Sequence, residues 1–288
     1  MRTMLICPGE RSTVSNLCQH LPLAHVPVLG QSLLEYWLSA LALQGASQIG
    51  VLAHAHPDLT QELVGTGERW GLNAKVISES RELTPAEALL KYSNELETAP
   101  AGQSIIVLDH FPTHPELPLF ASYQHWFAAL RGWMPSAVTA DRVGVNETRA
   151  GIWTGCHSHI SAQARLHPPC WIGQHVFVGA GAVIGPETII EDGSFVEPGA
   201  EVGRSWVGPD TFVGQFARID ESLAWGSTLI KWESGSAAQV ADPFLLCPLR
   251  QPRAKRTLNW LHRLGDVYSR NKAEAGVLWK QLLLHRES

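Results

Sequence analysis

The sequence predicts an α/β domain followed by a left-handed parallel β-helix and a helical C-terminal tail. Three observations carry this expectation. Strand-like and helix-like segments alternate over roughly the first 110 residues, aliphatic residues recur at every sixth position from Ile160, and a basic amphipathic stretch follows Arg250. The expected division is 1–150 for the α/β domain, 151–245 for the coil and 246–288 for the tail.

The first segment opens with an apolar strand at Met4–Cys7, which enters a turn at Pro8-Gly9. Gln31–Leu43 carries Leu33, Leu34, Trp37, Leu38 and Leu41 at helical spacing and stops at Gly45. A strand is expected at Gln48–Ala53, a helix at Pro57–Trp70, a strand at Ala74–Ile77, and a helix at Pro85–Leu96 with Thr84 as its N-cap. An apolar strand at Ser104–Leu108 ends at Asp109. This alternation implies a parallel sheet with helices on its faces. Such sheets bind ligands at the carboxyl ends of their strands, which places the Pro8–Ser12 turn and Asp109 at the mouth.

The second segment is periodic. Ile160, Leu166, Ile172, Val178, Ile184, Ile190, Val196 and Val202 keep a strict spacing of six; the phase then slips by one residue and resumes at Val207, Val213, Ile219 and Trp225. Mostly small residues fall four positions after the aliphatic, as at Ala164, Cys170, Ala182, Ser194 and Ala200, and Gly often follows it directly, as at Gly173, Gly179, Gly185 and Gly208. Each hexad then supplies one flat side and one corner of a triangular solenoid running from about Ile160 to Leu229. The aliphatic points inward, and Gly is expected where a turn needs unusual backbone angles. Three hexads make a turn of the solenoid, giving about four coils. Trp171, Phe177, Phe195, Trp206, Phe212, Phe216, Trp225 and Trp232 are too many and too large for the prism, so some must project outward. Such bands mark association surfaces, either between copies of the chain or between the first domain and the coil.

The tail reads as one or two amphipathic helices over Thr257–Leu284, with Gly276 weakening the second. From Arg250 onward nine Lys/Arg face three acids, whereas the rest of the chain has 13 basic against 24 acidic residues. Two readings fit: the tail caps the open end of the coil, or it lies on an anionic membrane surface or a partner protein. With a net charge of −5 no nucleic-acid partner is expected. No window carries the 18 or more apolar residues of a spanning helix, no signal peptide is visible, and five widely spaced cysteines form no C-x-x-C pair. A cytoplasmic setting is expected.

The N-terminal motifs resemble the sugar-phosphate nucleotidyltransferases, the NDP-sugar pyrophosphorylases. That family opens with a strand, then G-x-G-T-R, then P-K-P-L-L-P-V-x-G-K-P-L-L-E-Y. Gly9, Pro22, Pro27-Val28-Leu29-Gly30 and Leu33-Leu34-Glu35-Tyr36 follow that pattern without a gap from Gly9 to Pro27. In the family a left-handed β-helix often follows the α/β domain. The resemblance implies a Rossmann-like nucleotidyltransferase domain, Mg²⁺ as cofactor, and a reaction between a nucleoside triphosphate and a sugar 1-phosphate that releases pyrophosphate. It implies that Gly9 and Arg11 cradle phosphate, that Gly9, Glu10 and Ser12 are cofactor-binding, that Arg11 and Asp109 are catalytic, and that Asp109 holds the metal.

The same alignment shows departures. The second Gly of G-x-G-T-R falls on Arg11, its Arg on Thr13, and the phosphate-contacting Lys on Leu23. The family segment L-G-T-A-G-A-L becomes Leu83-Thr84-Pro85-Ala86-Glu87-Ala88-Leu89, and Leu108 replaces the usual Gly before Asp109. Nucleotidyl transfer develops negative charge on a phosphate, and losing one donor to it typically costs roughly 10²–10³ in rate. Only about 50 residues separate Asp109 from the first hexad, where the family builds its sugar-binding half. The expectation is a shortened, degenerate domain with weak or absent catalysis, kept for binding or regulation in cell-surface polysaccharide precursor synthesis, in a chain that forms a homo-oligomer.

Two other functions stay open. Hexapeptide coils also serve CoA-dependent acyltransferases, in which a His is the general base; His157, His159, His167 and His175 are the candidates, and a metal at His157 and His159 is a further possibility. Alternatively the chain is a non-enzymatic scaffold that recruits a membrane sugar transferase through its basic tail.

Overall fold

The computed structural model describes residues 2–96, 103–138 and 144–250. Met1–Leu249 form one compact unit. The expected tail helices, from residue 251 on, lie outside the described residues.

The α/β domain is built on a four-stranded parallel sheet in the order Asn73–Ser78, Gln48–Ala53, Arg2–Ile6, Gln103–Val107. The first strand lies inside the sheet, the next two extend it to one side, and the last joins on the other. Strand order therefore reverses beside Arg2–Ile6, and the crevice of such sheets opens at that point. The Pro8–Ser12 turn and Asp109 both leave strands bordering it.

Local chemistry sets the helix boundaries. Leu33–Leu43 starts at a capping box: the Glu35 N–H donates to Ser32 Oγ at 3.2 Å and the Ser32 N–H donates to the Glu35 carboxylate at 2.9 Å. The expected start at Gln31 is two residues early, because Gln31–Ser32 pairs with Pro27–Val28 in a short hairpin. The expected helix Pro57–Trp70 is broken: it runs from Pro57 to Val64, positive φ at Gly65 (57°) and Gly67 (84°) ends it, and Glu68–Trp70 is a separate 3₁₀ turn. Pro85–Leu96 is helical as expected except for a kink at Tyr92 (φ −111°, ψ 16°), and Thr84 and Glu87 form a second capping box.

The periodic segment forms the three sheets of a parallel β-helix. Its strands pair with those one coil away, 18 residues apart until the phase slip and 17 after it. Ile172, Val178, Ile184, Ile190, Val196, Val202, Val207 and Val213 fill the prism. The coil begins earlier than Ile160, since Ile152–Gly155 already pairs in parallel with Cys170–Ile172. It also ends before Leu229. Val207 pairs with Ala224, so Ala224 enters the prism while Trp225 turns outward onto the ring of His20 at 4.1 Å. Thr228–Lys231 then returns antiparallel to Ser222–Trp225.

Of the glycines after the aliphatics, Gly185 (φ 99°) and Gly226 (φ 59°) hold the unusual backbone angles expected, while others serve another purpose. At Gly173, Gly179 and Gly214 φ is not positive; a Cβ there would overlap backbone of a neighbouring strand or coil, so glycine permits close stacking. Left-handed corner positions fall elsewhere, on His157, His175, Gly193 and Asp210 along one edge and on Glu187, Arg204 and Glu221 along another.

One outer face of the coil carries Trp153, Trp171, Ile189, Trp206 and Leu223 in register. All are buried in the same core as Leu17, Leu33 and Trp126 of the first domain. The outward aromatics on this face thus pack the α/β domain onto the coil. The connection after Asp109 contributes the helix Tyr123–Trp133, with Trp126 edge-on to Trp206 at 4.9 Å and Arg131 paired with Glu187 at 2.6 Å. A second face stacks Phe177, Phe195 and Phe212 at 4.2 and 6.0 Å, each half-buried.

A buried carboxylate joins the two parts. Glu191 of the coil accepts the N–H of Leu29 at 2.6 Å, the N–H of Gly30 at 2.7 Å and the indole N–H of Trp206 at 2.9 Å. Leu29 (φ 55°) and Gly30 (φ 76°) are the centre of the Pro27–Ser32 hairpin, with the paired positive φ of a type I′ turn. Burial, reinforced by the charge of Asp192, pushes the Glu191 carboxyl up to about 7, against the pull of its three donors.

Two measurements follow from this packing. Gly173→Ala places a Cβ about 2.7 Å from the Asp192 nitrogen of the next coil; it is expected to cost about 1–3 kcal/mol in urea unfolding, and an unchanged midpoint would contradict the close-stacking role. An acid raised in the folded state is stabilising while protonated and loses that stabilisation as pH climbs from its unfolded value, about 4.3, through its folded value, about 7. The stability of the natural protein relative to Glu191→Gln is therefore expected to fall between about pH 4 and about pH 7. A difference that is flat or rises over that range would refute the assignment.

Candidate functional site

The strand Arg2–Ile6 ends at Cys7, whose N–H still reaches Leu52 at 2.9 Å, and Pro8 then turns the chain out of the sheet. Gly9 is buried at this turn, and a Cβ there would lie 3.0 Å from both the Glu82 carboxylate and the His54 ring. The absence of a side chain lets an anion reach the backbone.

That anion is Glu82, from the loop ahead of the helix Pro85–Leu96. The Gly9 N–H donates to its Oε2 at 3.0 Å; Arg11 donates through Nη1 to Oε2 at 2.7 Å and through Nη2 to Oε1 at 2.6 Å. This is the two-pronged guanidinium–carboxylate geometry, joined by one backbone donor. Arg11 holds the Glu82 carboxyl below the usual carboxylate range, helped by the Gly9 N–H and the nearby His54, and Glu82 in turn raises Arg11. The pair is about one-third exposed on the Arg11 side and one-quarter on the Glu82 side, so solvent reaches it.

The structure brings some of the expected residues together. Gly9 and Arg11 meet, through Glu82 rather than around an open cradle. Glu10 and Ser12 lie exposed on the same turn. Asp109 follows the strand Gln103–Val107, close enough to Arg11 to raise it; its Oδ1 is bonded to His110 Nδ1 at 2.6 Å. Mg²⁺ keeps several waters and usually takes one or two carboxylates together with substrate phosphates. Asp109, a single carboxylate with one oxygen already bonded, could serve it only in company with a phosphate ligand. Among the described residues no group of three His, Cys, Asp or Glu is placed to hold a metal ion.

The two lost cations have structural replacements. Thr13 donates its hydroxyl to the Phe120 carbonyl at 2.8 Å, and Leu23 is buried in the core beneath its 3₁₀ turn. A pocket of about 270 Å³ flanks the turn, lined by Pro8–Glu10, Cys18–Leu23, Ala55, His56 and Leu59.

The coil histidines do not converge. His157 and His175 occupy equivalent corners and stack at 5.0 Å, while His159 stacks on Phe177 at 5.4 Å, so His157 and His159 have different neighbours. His167 and His175 are exposed.

Reading the sequence missed Glu82. Its one signal was an acid directly before the Leu83–Leu89 segment, in a loop that the sheet topology carries to the same crevice as Gly9.

Residues 4–119 match the nucleotidyl transferase family model, so the resemblance read from the N-terminal motifs holds for the first domain. Among solved structures the chain is similar to a GDP-perosamine N-acetyltransferase from Caulobacter crescentus in complex with CoA and GDP-perosamine, at 13% identity over 62% of this chain and 79% of that one, with a TM-score of 0.21. It is also similar to the acetyltransferase domain of PglB from Neisseria gonorrhoeae in complex with acetyl coenzyme A, at 14% identity over 63% and 97% of the two chains, with a TM-score of 0.17. At those TM-scores neither likeness carries an argument.

Proposed function

We propose that this protein is a nucleotidyltransferase-like component of NDP-sugar metabolism serving cell-surface polysaccharide synthesis, with a binding or regulatory role and little or no turnover of its own. One observation carries the reading: Arg11 is the only Lys or Arg between Pro8 and Gly30, and Glu82 neutralises it. Glu10 and Asp109 add negative charge beside it. A mouth of this kind meets a triphosphate with acids where phosphoryl chemistry needs cations. The inferred ligands are a nucleoside triphosphate and a sugar 1-phosphate, bound at the Gly9–Ser12 turn, and any residual catalysis would use Arg11 and Asp109, the latter with Mg²⁺. The inferred setting is cytoplasmic, and the half-buried Phe177–Phe195–Phe212 face is where a homo-oligomer would form.

Pyrophosphate release, measured over the common nucleoside triphosphates and sugar 1-phosphates with Mg²⁺, tests this. The expected rate is at or near background, with Asp109→Ala indistinguishable from the natural protein. Robust turnover that disappears in Asp109→Ala would overturn the reading.

A further inference from the structure

We infer that Glu82 is an internal stand-in for a phosphate group: the Gly9 N–H and the Arg11 guanidinium form a preorganised oxyanion site, and a phosphate or diphosphate binds there only by displacing the carboxylate. The inference rests on the reading above and names the regulation of that same turn.

Three features support it. The first is the donor set. Three N–H groups from two residues converge on one carboxylate at 2.6, 2.7 and 3.0 Å. A guanidinium fork with a backbone amide suits a phosphate as well as a carboxylate, since both offer paired oxygens to parallel donors. The second is Gly9. Its missing side chain leaves room for an anion against the backbone, and even a methyl group would stand 3.0 Å from the Glu82 oxygen. The third is access. Glu82 comes from a loop 71 residues away from Arg11, stays partly exposed, and is bound at its carboxylate end. A partly exposed ion pair is only weakly stabilising, so a ligand that carries more negative charge can compete for it.

The charge balance gives the consequence. With Glu82 in place the site is neutral and flanked by Glu10 and Asp109. With Glu82 withdrawn, the Arg11 guanidinium and the Gly9 amide face the crevice as donors without an acceptor from that loop. The neighbouring pocket of about 270 Å³ opens beside Gly9 and Glu10, so a diphosphate held at the turn has space for its substituent. The device is an autoinhibitory contact: the carboxylate keeps the donors in place while excluding weakly held anions.

Binding of inorganic pyrophosphate near neutral pH, followed by isothermal titration calorimetry on the full chain, tests it. Glu82→Ala and Glu82→Gln are expected to bind pyrophosphate at least about tenfold more tightly than the natural protein, the scale of one hydrogen bond to a charged group. Adding Arg11→Ala to Glu82→Ala is expected to abolish the gain. Glu82→Gln preserves side-chain volume and an acceptor for the Gly9 N–H, so a folded variant remains if Glu82→Ala proves unstable by circular dichroism. Unchanged affinity in both Glu82 variants, or a gain that survives Arg11→Ala, would overturn the inference. These outcomes are independent of turnover: a catalytically active natural protein would sink the proposed function and leave the pyrophosphate comparison intact.

Discussion

The structure depends on one buried carboxylate. Among the described residues no cation pairs with Glu191; its carboxylate is met by two backbone amides and an indole N–H. The backbone donors lie 162 and 161 residues earlier in the chain, at a hairpin whose two central residues hold positive φ. That conformation is costly for Leu29, a γ-branched residue, and it turns two adjacent amides in one direction. Buried amides need acceptors. Glu191 supplies them, and its own desolvation is offset only while the hairpin stays in place. The α/β domain and the coil are therefore joined by mutual need, and the tryptophans of the shared face seal the contact from water.

This join explains why the two parts share a single core. Trp206 is a buried wall of that core and also a donor to Glu191. Trp126 meets it edge-on from the helix Tyr123–Trp133. The connection after Asp109 thus serves as packing material, its helix anchoring the domain to the coil.

The features legible in the sequence are those that repeat or follow local rules. The hexad ladder was readable because one aliphatic per side is a geometric requirement of the prism. Thr84 announced a helix start because a cap lies within one turn of what it caps. The misreadings have physical causes. Trp225 keeps the six-residue spacing from Ile219, yet the prism is too narrow for an indole, so Ala224 takes the inward position. Gly65 and Gly67 interrupt what reads as one helix because two left-handed residues cannot continue it. Glycines after the aliphatics looked like turn formers, but at Gly173, Gly179 and Gly214 their small size serves stacking. Glu191 left no pattern, and Glu82 only its place directly before the Leu83–Leu89 segment. Each acts on a partner 71 or more residues distant, and such pairings belong to the folded topology, not to any window of sequence.

The coil also sets its own length. A solenoid whose strands all run parallel offers each end as a template on which another chain can pair. Here Val145–Arg149 folds back antiparallel on the first strand of one sheet, Thr228–Lys231 does so on its last, and Leu246–Pro248 closes the last strand of a second sheet. An antiparallel neighbour cannot pass the parallel register onward. One sheet is thus reversed at both ends and a second at its last strand, and at those edges the repeat becomes a counted object that cannot hand its parallel register to another copy.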